Sequence, residues 1–174
     1  MEETLRALHE KEGKDKLFEQ LVISYKEQIY WHVRRIVIDH QDADDVVQNA
    51  FIKIWRNLDT FKWESKIYTW MYRIATNESL NFIEKRKRNL NESLDNALIH
   101  VAGSPSGFNG DEIQLKLQRA ILTLPEKHRL VFNMKYFDDK KYEEMSAILD
   151  TSVGALKASY HHAVAKIKKF LEED

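Results

Sequence analysis

Cysteine is absent from the chain. Disulfide stapling, thiol nucleophiles and thiolate zinc sites are therefore excluded, and a reducing cytosol suits such a chain. Glycine occurs five times and proline twice, too few for the many tight turns of an all-β protein. No apolar run approaches the roughly 18 residues that cross a bilayer. The stretch from Met1 to Lys16 is charged and lacks the apolar core of a secretory signal. Neither charge predominates: 27 Lys and Arg against 28 Asp and Glu leave a formal charge of −1. Phosphate contacts supply most of the affinity of a free-standing DNA binder, which is usually basic for that reason. A balanced total leaves either no nucleic acid or DNA binding that depends on a larger partner. A phosphate-cradling glycine loop, an HExxH pair and a credible Ser/His/Asp set are also missing. Neither an enzyme nor a cofactor is expected.

What the chain does carry is helical periodicity. Leu17, Leu21, Tyr25, Ile29, Val33 and Ile36/Val37 recur at steps of three or four and predict one long helix from Lys16 to about His40. Val46/Val47, Ala50/Phe51, Ile54/Trp55 and Leu58 paint a second stripe, with Asp42, Asp44 and Asp45 in its first turn, where acids suit the helix dipole. A third helix is expected from Glu64 to about Thr76, burying Ile67, Met71 and Ile74. Asn77 could then cap a short helix that carries Leu80 and Ile83 and ends in Lys85 to Arg88. From Asn89 to Gly110 the period fails, with four Asn, three of the five Gly and Ser104-Pro105. Spacing resumes with Ile113, Leu117, Ile121 and Leu124, and Pro125 opens a helix carrying Leu130, Val131, Met134 and Phe137. The expected fold is all-α: two helical domains, residues 12–88 and 112–171, joined by a flexible linker, 89–111.

The C-terminal half has the outline of a helix-turn-helix. Asp138 to Lys141 makes a polar turn, and Tyr142 to Leu149 a short helix with Met145, Ile148 and Leu149 inward. Asp150-Thr151-Ser152 supplies three turn and cap formers. A long helix follows, burying Val153, Leu156, Tyr160, Val164, Ile167 and Leu171. Its opposite face holds Gly154, Ala155, Ala158, His161, His162, Ala165 and Lys169, with Lys157 on the flank. Small residues there admit a major groove, and Lys and His donate to phosphates or base acceptors. A plain amphipathic helix with a solvated face has the same period.

Leu124-Pro125-Glu126, Tyr142-Glu143-Glu144-Met145-Ser146-Ala147-Ile148-Leu149 and Ser152-Val153-Gly154-Ala155-Leu156-Lys157 together resemble the −35-binding domain of sigma factors of the extracytoplasmic-function (ECF) group. The resemblance implies that the helix from Val153 enters the major groove, with Ser152, Gly154, Ala155, Lys157, Ala158, His161 and His162 at the duplex. Many members carry arginines on that helix, where this chain has Lys157, Ala158, His161 and His162.

The N-terminal half carries a second resemblance to the same family. The run Asp42-Ala43-Asp44-Asp45-Val46-Val47-Gln48-Asn49-Ala50-Phe51-Ile52-Lys53-Ile54-Trp55-Arg56 is similar to the sigma helix that docks on core RNA polymerase. It implies a polymerase-binding face of Asp42, Asp44, Asp45, Gln48, Asn49 and Lys53. An acidic helix start with a polar face suits a basic partner. The family often has Glu where Asn49 stands. A hard-metal site at the three aspartates is not expected, since no Gly-bearing calcium loop or distal Glu follows. Phe61, Trp63, Tyr68, Trp70 and Tyr72 crowd one stretch, with Lys62, Lys66 and Arg73 between them. Rings offer stacking faces to unpaired bases and cations follow the backbone, although most of these rings, Trp70 above all, are also expected in the core. Tyr68 to Asn77 resembles the segment that captures the melted −10 strand, where Asn77 matches an Asn in a short loop that holds a flipped-out base. Tyr68, Arg73 and Asn77, followed by Lys85, Arg86 and Arg88 on phosphates, form the expected −10 site.

The resemblance thus implies a transcription initiation factor whose partners are core RNA polymerase, the duplex at −35, the single strand at −10 and an anti-sigma factor. It also implies a linker threading toward the polymerase active-site channel, which the acids Glu92, Asp95, Asp111 and Glu112 would suit. A cytoplasmic protein without membrane insertion is expected. Two rivals stand beside this reading. A polymerase-independent operator-binding regulator would leave the Asp42 to Arg56 run and the Asn77 segment unexplained. A polymerase-binding inhibitor would use the acidic helix alone.

Overall fold

In a computed structural model, the structure describes residues 2–90 and 112–173, and every regular element among them is helical. The helices are α1 (Glu2–Glu12), α2 (Lys14–Val37), α3 (His40–Asn57), a 3-10 turn (Leu58–Thr60), α4 (Ile67–Leu90), α5 (Glu112–Leu122), α6 (Glu126–Tyr136), α7 (Tyr142–Leu149) and α8 (Val153–Glu173). They form two compact units, Met1–Phe82 and Ile83–Asp174, so that the division falls inside α4. The expected linker lies outside the described residues except for its first two, which continue α4. Glu92, Asp95 and Asp111 lie outside them too, and Glu112 opens α5.

The first unit is built on the α2–α3 pair. The whole predicted stripe of α2, Leu17 through Val37, is buried, and Ala43, Val46, Val47, Ala50, Phe51 and Ile54 of α3 meet it. Full burial of each such aliphatic chain stabilises by about 1.5 to 3 kcal/mol. Ile38 joins the two helices at φ 72, a left-handed conformation that is costly for a β-branched residue. Its side chain is buried and its N–H donates to Arg34 O. Trp55 departs from the expected stripe: Ile54 takes the inward position and the indole stays 43% exposed. Lys14 Nζ sits 4.4 Å from its ring centroid, and the indole N–H donates to Asp15 at 3.4 Å.

Two features of this unit differ from the sequence reading. Helix α1, which no apolar stripe announced, packs on α2 through buried Leu5. The expected third and fourth helices are one continuous α4, beginning at Ile67 rather than Glu64. Asn77 is therefore neither a cap nor a loop residue. No Gly or Pro interrupts the segment, and the hydroxyls of Thr76 and Ser79 donate back to Tyr72 O and Ala75 O at 2.8 Å, which keeps these polar groups satisfied inside a helix.

In the second unit Ala120, Ile121, Leu124, Phe132, Ala163 and Ile167 form a core, with Leu117, Tyr160, Phe170 and Leu171 packed against it. Met134, Met145, Ile148 and Leu156 are also buried. Pro125 is the residue preceding α6 rather than its first residue. Ala163 replaces the expected Val164, which is 39% exposed. Each step of four over-rotates a helix by about 40°, so two steps from Leu156 leave Val164 off the seam. Ile113 is 76% exposed, and Phe137 lies beyond the end of α6. Lys140, expected in a polar turn, is buried. Its ammonium donates to Asp138 O at 3.3 Å.

Candidate nucleic-acid and partner interfaces

Helix α3 starts at His40, two residues before the first of the three aspartates. Asp39 is the N-cap, and its carboxylate accepts the N–H groups of Gln41 (2.8 Å) and Asp42 (3.0 Å). Asp42 alone then occupies the first turn, half-buried. Asp44, Asp45, Gln48 and Asn49 are exposed one turn further on. His40 anchors this end: Tyr30 Oη lies 2.5 Å from His40 Nδ1, and His40 Nε2 is 3.7 Å from Asp44. Residues 44, 45, 48, 49 and 52 share one helical face. Sequence periodicity did not single out Ile52, yet it is 43% exposed and is the apolar residue at the middle of that polar surface. Lys53 lies at the edge of the face, where its ammonium is 2.7 Å from Glu78 of α4.

Helix α4 presents two different sides. Inward, Tyr72, Thr76 and Ser79 are buried. Because the Thr76 hydroxyl donates to Tyr72 O, His32 Nε2, 2.8 Å away, carries the hydrogen and donates to Thr76 Oγ1. Outward, Arg73, Asn77, Asn81, Lys85 and Arg88 are exposed in a continuous row at helical spacing. The row contains four of the six expected −10 residues, Arg73, Asn77, Lys85 and Arg88, together with Asn81, which is not among the expected residues. Arg88 also donates to Glu84 O at 3.4 Å. Arg86 is half-buried and stands off this row.

The aromatic stretch divides between core and surface. Tyr72 is core, and Tyr68 is half-buried between Tyr25 (centroids 5.6 Å) and Tyr72 (4.6 Å). Trp70 is half-buried rather than core. Its ring meets Phe61 at 5.0 Å, and Phe61 meets Trp63 at 5.1 Å. These three half-buried rings flank the exposed cations Lys62 and Lys66 in the loop that leads into α4.

In the second unit, α7, the turn and α8 have the expected boundaries. Asp150 adopts φ 50 in the left-handed region, where Asp is tolerated, and ends α7. Ser152 caps α8, its hydroxyl oxygen accepting the Ala155 N–H at 3.3 Å. Lys141 N–H donates to Glu144 at 3.0 Å and closes the start of α7. Ser152, Gly154, Ala155, Lys157, Ala158, His161 and His162 are all exposed. Nothing lies within 4 Å of where a Gly154 side chain would begin, so the head of the helix is open to an approaching surface. Lys157 Nζ lies 5.7 Å from the centre of the Tyr142 ring. His162 is stacked at 5.9 Å on His128 of α6, a histidine the sequence reading had not connected with the site. In the turn before α7, burial pulls the Lys140 amine down to about 8, partly opposed by Glu144.

The family model for Sigma-70 region 2 matches residues 21–89, and that for Sigma-70, region 4 matches residues 114–167. The RNA polymerase sigma-H factor of Pseudomonas aeruginosa is 32% identical, with 92% of this chain and 89% of that one covered. The ECF RNA polymerase sigma factor SigW of Bacillus subtilis is 31% identical, with 94% and 93% covered. The chain is an ECF sigma factor. As a member of that family it is a non-enzymatic initiation factor. Similarity extends to the ECF sigma-E factor of Escherichia coli, 33% identical over 87% of this chain and 84% of that one. Two solved structures share the fold. The sigma factor RpoE in complex with the anti-sigma factor NepR from Bartonella quintana has a TM-score of 0.71 at 22% identity, covering 90% of this chain and 98% of that one. CnrH in complex with the cytosolic domain of CnrY has a TM-score of 0.72 at 24% identity, covering 99% and 98%. Among the described residues no helix of this sigma factor is long and apolar enough to cross a membrane.

Proposed function

We propose that this sigma factor binds core RNA polymerase through the exposed face of α3, captures the melted −10 strand along α4, and reads the −35 duplex with α8. In residues, the docking surface is Asp42, Asp44, Asp45, Gln48, Asn49 and the edge residue Lys53, with Ile52 as its apolar centre. The −10 surface is the row Arg73, Asn77, Asn81, Lys85 and Arg88, flanked by Tyr68 and Arg86. The −35 surface is Ser152, Gly154, Ala155, Lys157, Ala158, His161 and His162. The docking and −10 domain comprises residues 12–88, preceded by α1; residues 89–111 form the linker, and 112–171 the −35 domain. The observation that carries the reading is the row on α4, where amide and guanidinium groups share one exposed face while the other face is core. Asn offers both a donor and an acceptor to the edge of an extruded base, and cations one turn on suit its phosphates.

The protein acts in the cytoplasm, where polymerase and promoter are, and an anti-sigma factor that covers the docking and DNA faces restrains it. A near-neutral chain has weak affinity for DNA alone, and polymerase supplies the remainder. The test is run-off transcription from a genomic promoter library with core polymerase from the native host. Discrete starts are expected only when both proteins are present. Failure to add starts, combined with a shift of duplex DNA by the protein alone, would favour the operator-binding regulator.

A further inference from the structure

Helix α1 lies ahead of the region matched by the Sigma-70 region 2 family, which begins at residue 21. It nevertheless reaches the loop that leads into α4. The Glu2 carboxylate accepts the Ile67 N–H at 3.0 Å, so the first amide of α4 is satisfied by a residue 65 positions away. Two turns further along, His9 meets the loop and the 3-10 turn before it: its ring lies 6.2 Å from that of Trp63, and its Nε2 is 3.9 Å from Asp59. Lys14 holds the other oxygen of Asp59 at 2.6 Å. Leu5, between these contacts, is buried and fixes the helix. Gly13, at φ 85, makes the turn that brings α1 back along α2.

What α1 holds is strained. Trp63 adopts φ 59, which a bulky side chain avoids and which persists only where the surroundings impose it. From His9 the contacts run ring to ring through Trp63 and Phe61 to Trp70 of α4. Releasing His9 frees the first ring of this series, and releasing Glu2 frees the amide at the base of the loop.

We propose that α1 is a positioning element for −10 strand capture, with Glu2 and His9 holding the Phe61–Lys66 loop in the shape that an extruded base meets. This rests on the proposed assignment of α4 to the melted strand and extends it to the loop that leads into α4. Neither residue touches DNA. Both act through Trp63 and the start of α4, so their loss lowers the rate of promoter opening without loosening the docking face on α3.

The experiment uses holoenzyme assembled from core polymerase and the full chain, on a promoter taken from the run-off library. The variants are the double substitution Glu2→Ala/His9→Ala, and His9→Phe, which keeps a ring against Trp63. Opening is followed by 2-aminopurine fluorescence in the −10 element, core binding by fluorescence anisotropy, and stability by thermal melting. The double variant should open promoters about fivefold more slowly, the factor that roughly 1 kcal/mol of released strain produces. Its core affinity should remain within about twofold, a change too small to signal a lost interaction. His9→Phe should open at nearly the wild-type rate. Unchanged opening in the double variant would overturn the proposal. So would an equal fall in opening and core affinity, or a His9→Phe variant as slow as the double substitution. Wild-type holoenzyme run in parallel separates the two levels: if it opens no promoter, the sigma reading itself fails; if it does, only the role of α1 is at stake.

Discussion

Asn77 stands in a setting that the sequence does not announce. The family resemblance implies a loop residue that holds a base, whereas Asn77 is exposed in the middle of α4. The continuity of α4 was hidden because Thr76, Asn77 and Ser79 are weak helix formers, while the buried hydroxyls of Thr76 and Ser79 are satisfied within the helix by Tyr72 O and Ala75 O. The exposed mid-helix position gives a clean test. Asn77→Ala replaces a poor helix former with the best, so stability should hold or rise by about 0.5 kcal/mol. Promoter opening should nonetheless fall about tenfold, the scale of one or two hydrogen bonds lost with a buried base edge, while core affinity is unchanged. Opening at the wild-type rate would remove Asn77 from the −10 site. Lys140 presents the reverse case, a charge that belongs in a polar turn by its sequence and is buried in the structure. Its folded value is depressed from 10.5 to about 8 chiefly by burial, so between those values the unfolded chain binds more protons and stability rises with pH. Below about pH 8 both states are protonated and the full penalty of the buried ammonium is present. Lys140→Met should therefore stabilise the protein at pH 7, by roughly 1 to 3 kcal/mol after the lost Asp138 hydrogen bond is allowed for. That gain should shrink as pH rises from 8 to 10.5, as read by thermal melting. A gain that stayed constant over the window would show that packing, not charge, sets it.

Among the elements, α7 and the start of α8 were legible to the residue because Asp150 ends one helix in a left-handed conformation and Ser152 caps the next with its side chain. Helix α1 was not legible, since its anchoring depends on one buried leucine and on long-range contacts of Glu2 and His9 that no periodicity encodes. Helix α8 also shows where counting by fours fails: Val164 turns outward and Ala163 allows close packing at the core. Its exposed face, in contrast, follows from the core register, because whatever Leu156, Ala163 and Ile167 do not bury must face out. Lys157→Ala/His162→Ala removes two donors from that face without touching the core. Transcription from promoters that depend on the −35 element should fall roughly tenfold, as expected for one or two charge-assisted contacts. Promoters whose use does not depend on the −35 element should be spared. Equal loss on both promoter classes would place these residues outside −35 reading.

At the scale of the whole molecule, a formal charge of −1 is the sum of unlike surfaces. The exposed aspartates of α3 stand on one helix, and the Arg and Lys row of α4 stands on another. A single overall charge therefore cannot predict how the protein meets DNA, and the two surfaces can be set against each other. Asp44→Lys/Asp45→Lys takes the formal charge from −1 to +3, since each reversal adds two. Nonspecific attraction to duplex DNA should rise or stay level, because added cations release more counterions. Docking should move the opposite way. Exposed charges at the edge of an interface act mainly on the association rate and its salt dependence. Association with core polymerase should slow by about tenfold at low salt and lose much of its ionic-strength dependence. Transcription at limiting protein should fall with it, despite firmer binding to free DNA. A regulator that works without polymerase would show the reverse coupling, gaining output as its DNA affinity rises. The opposed signs of DNA binding and transcription in one variant thus separate a polymerase-borne factor from a free-standing one.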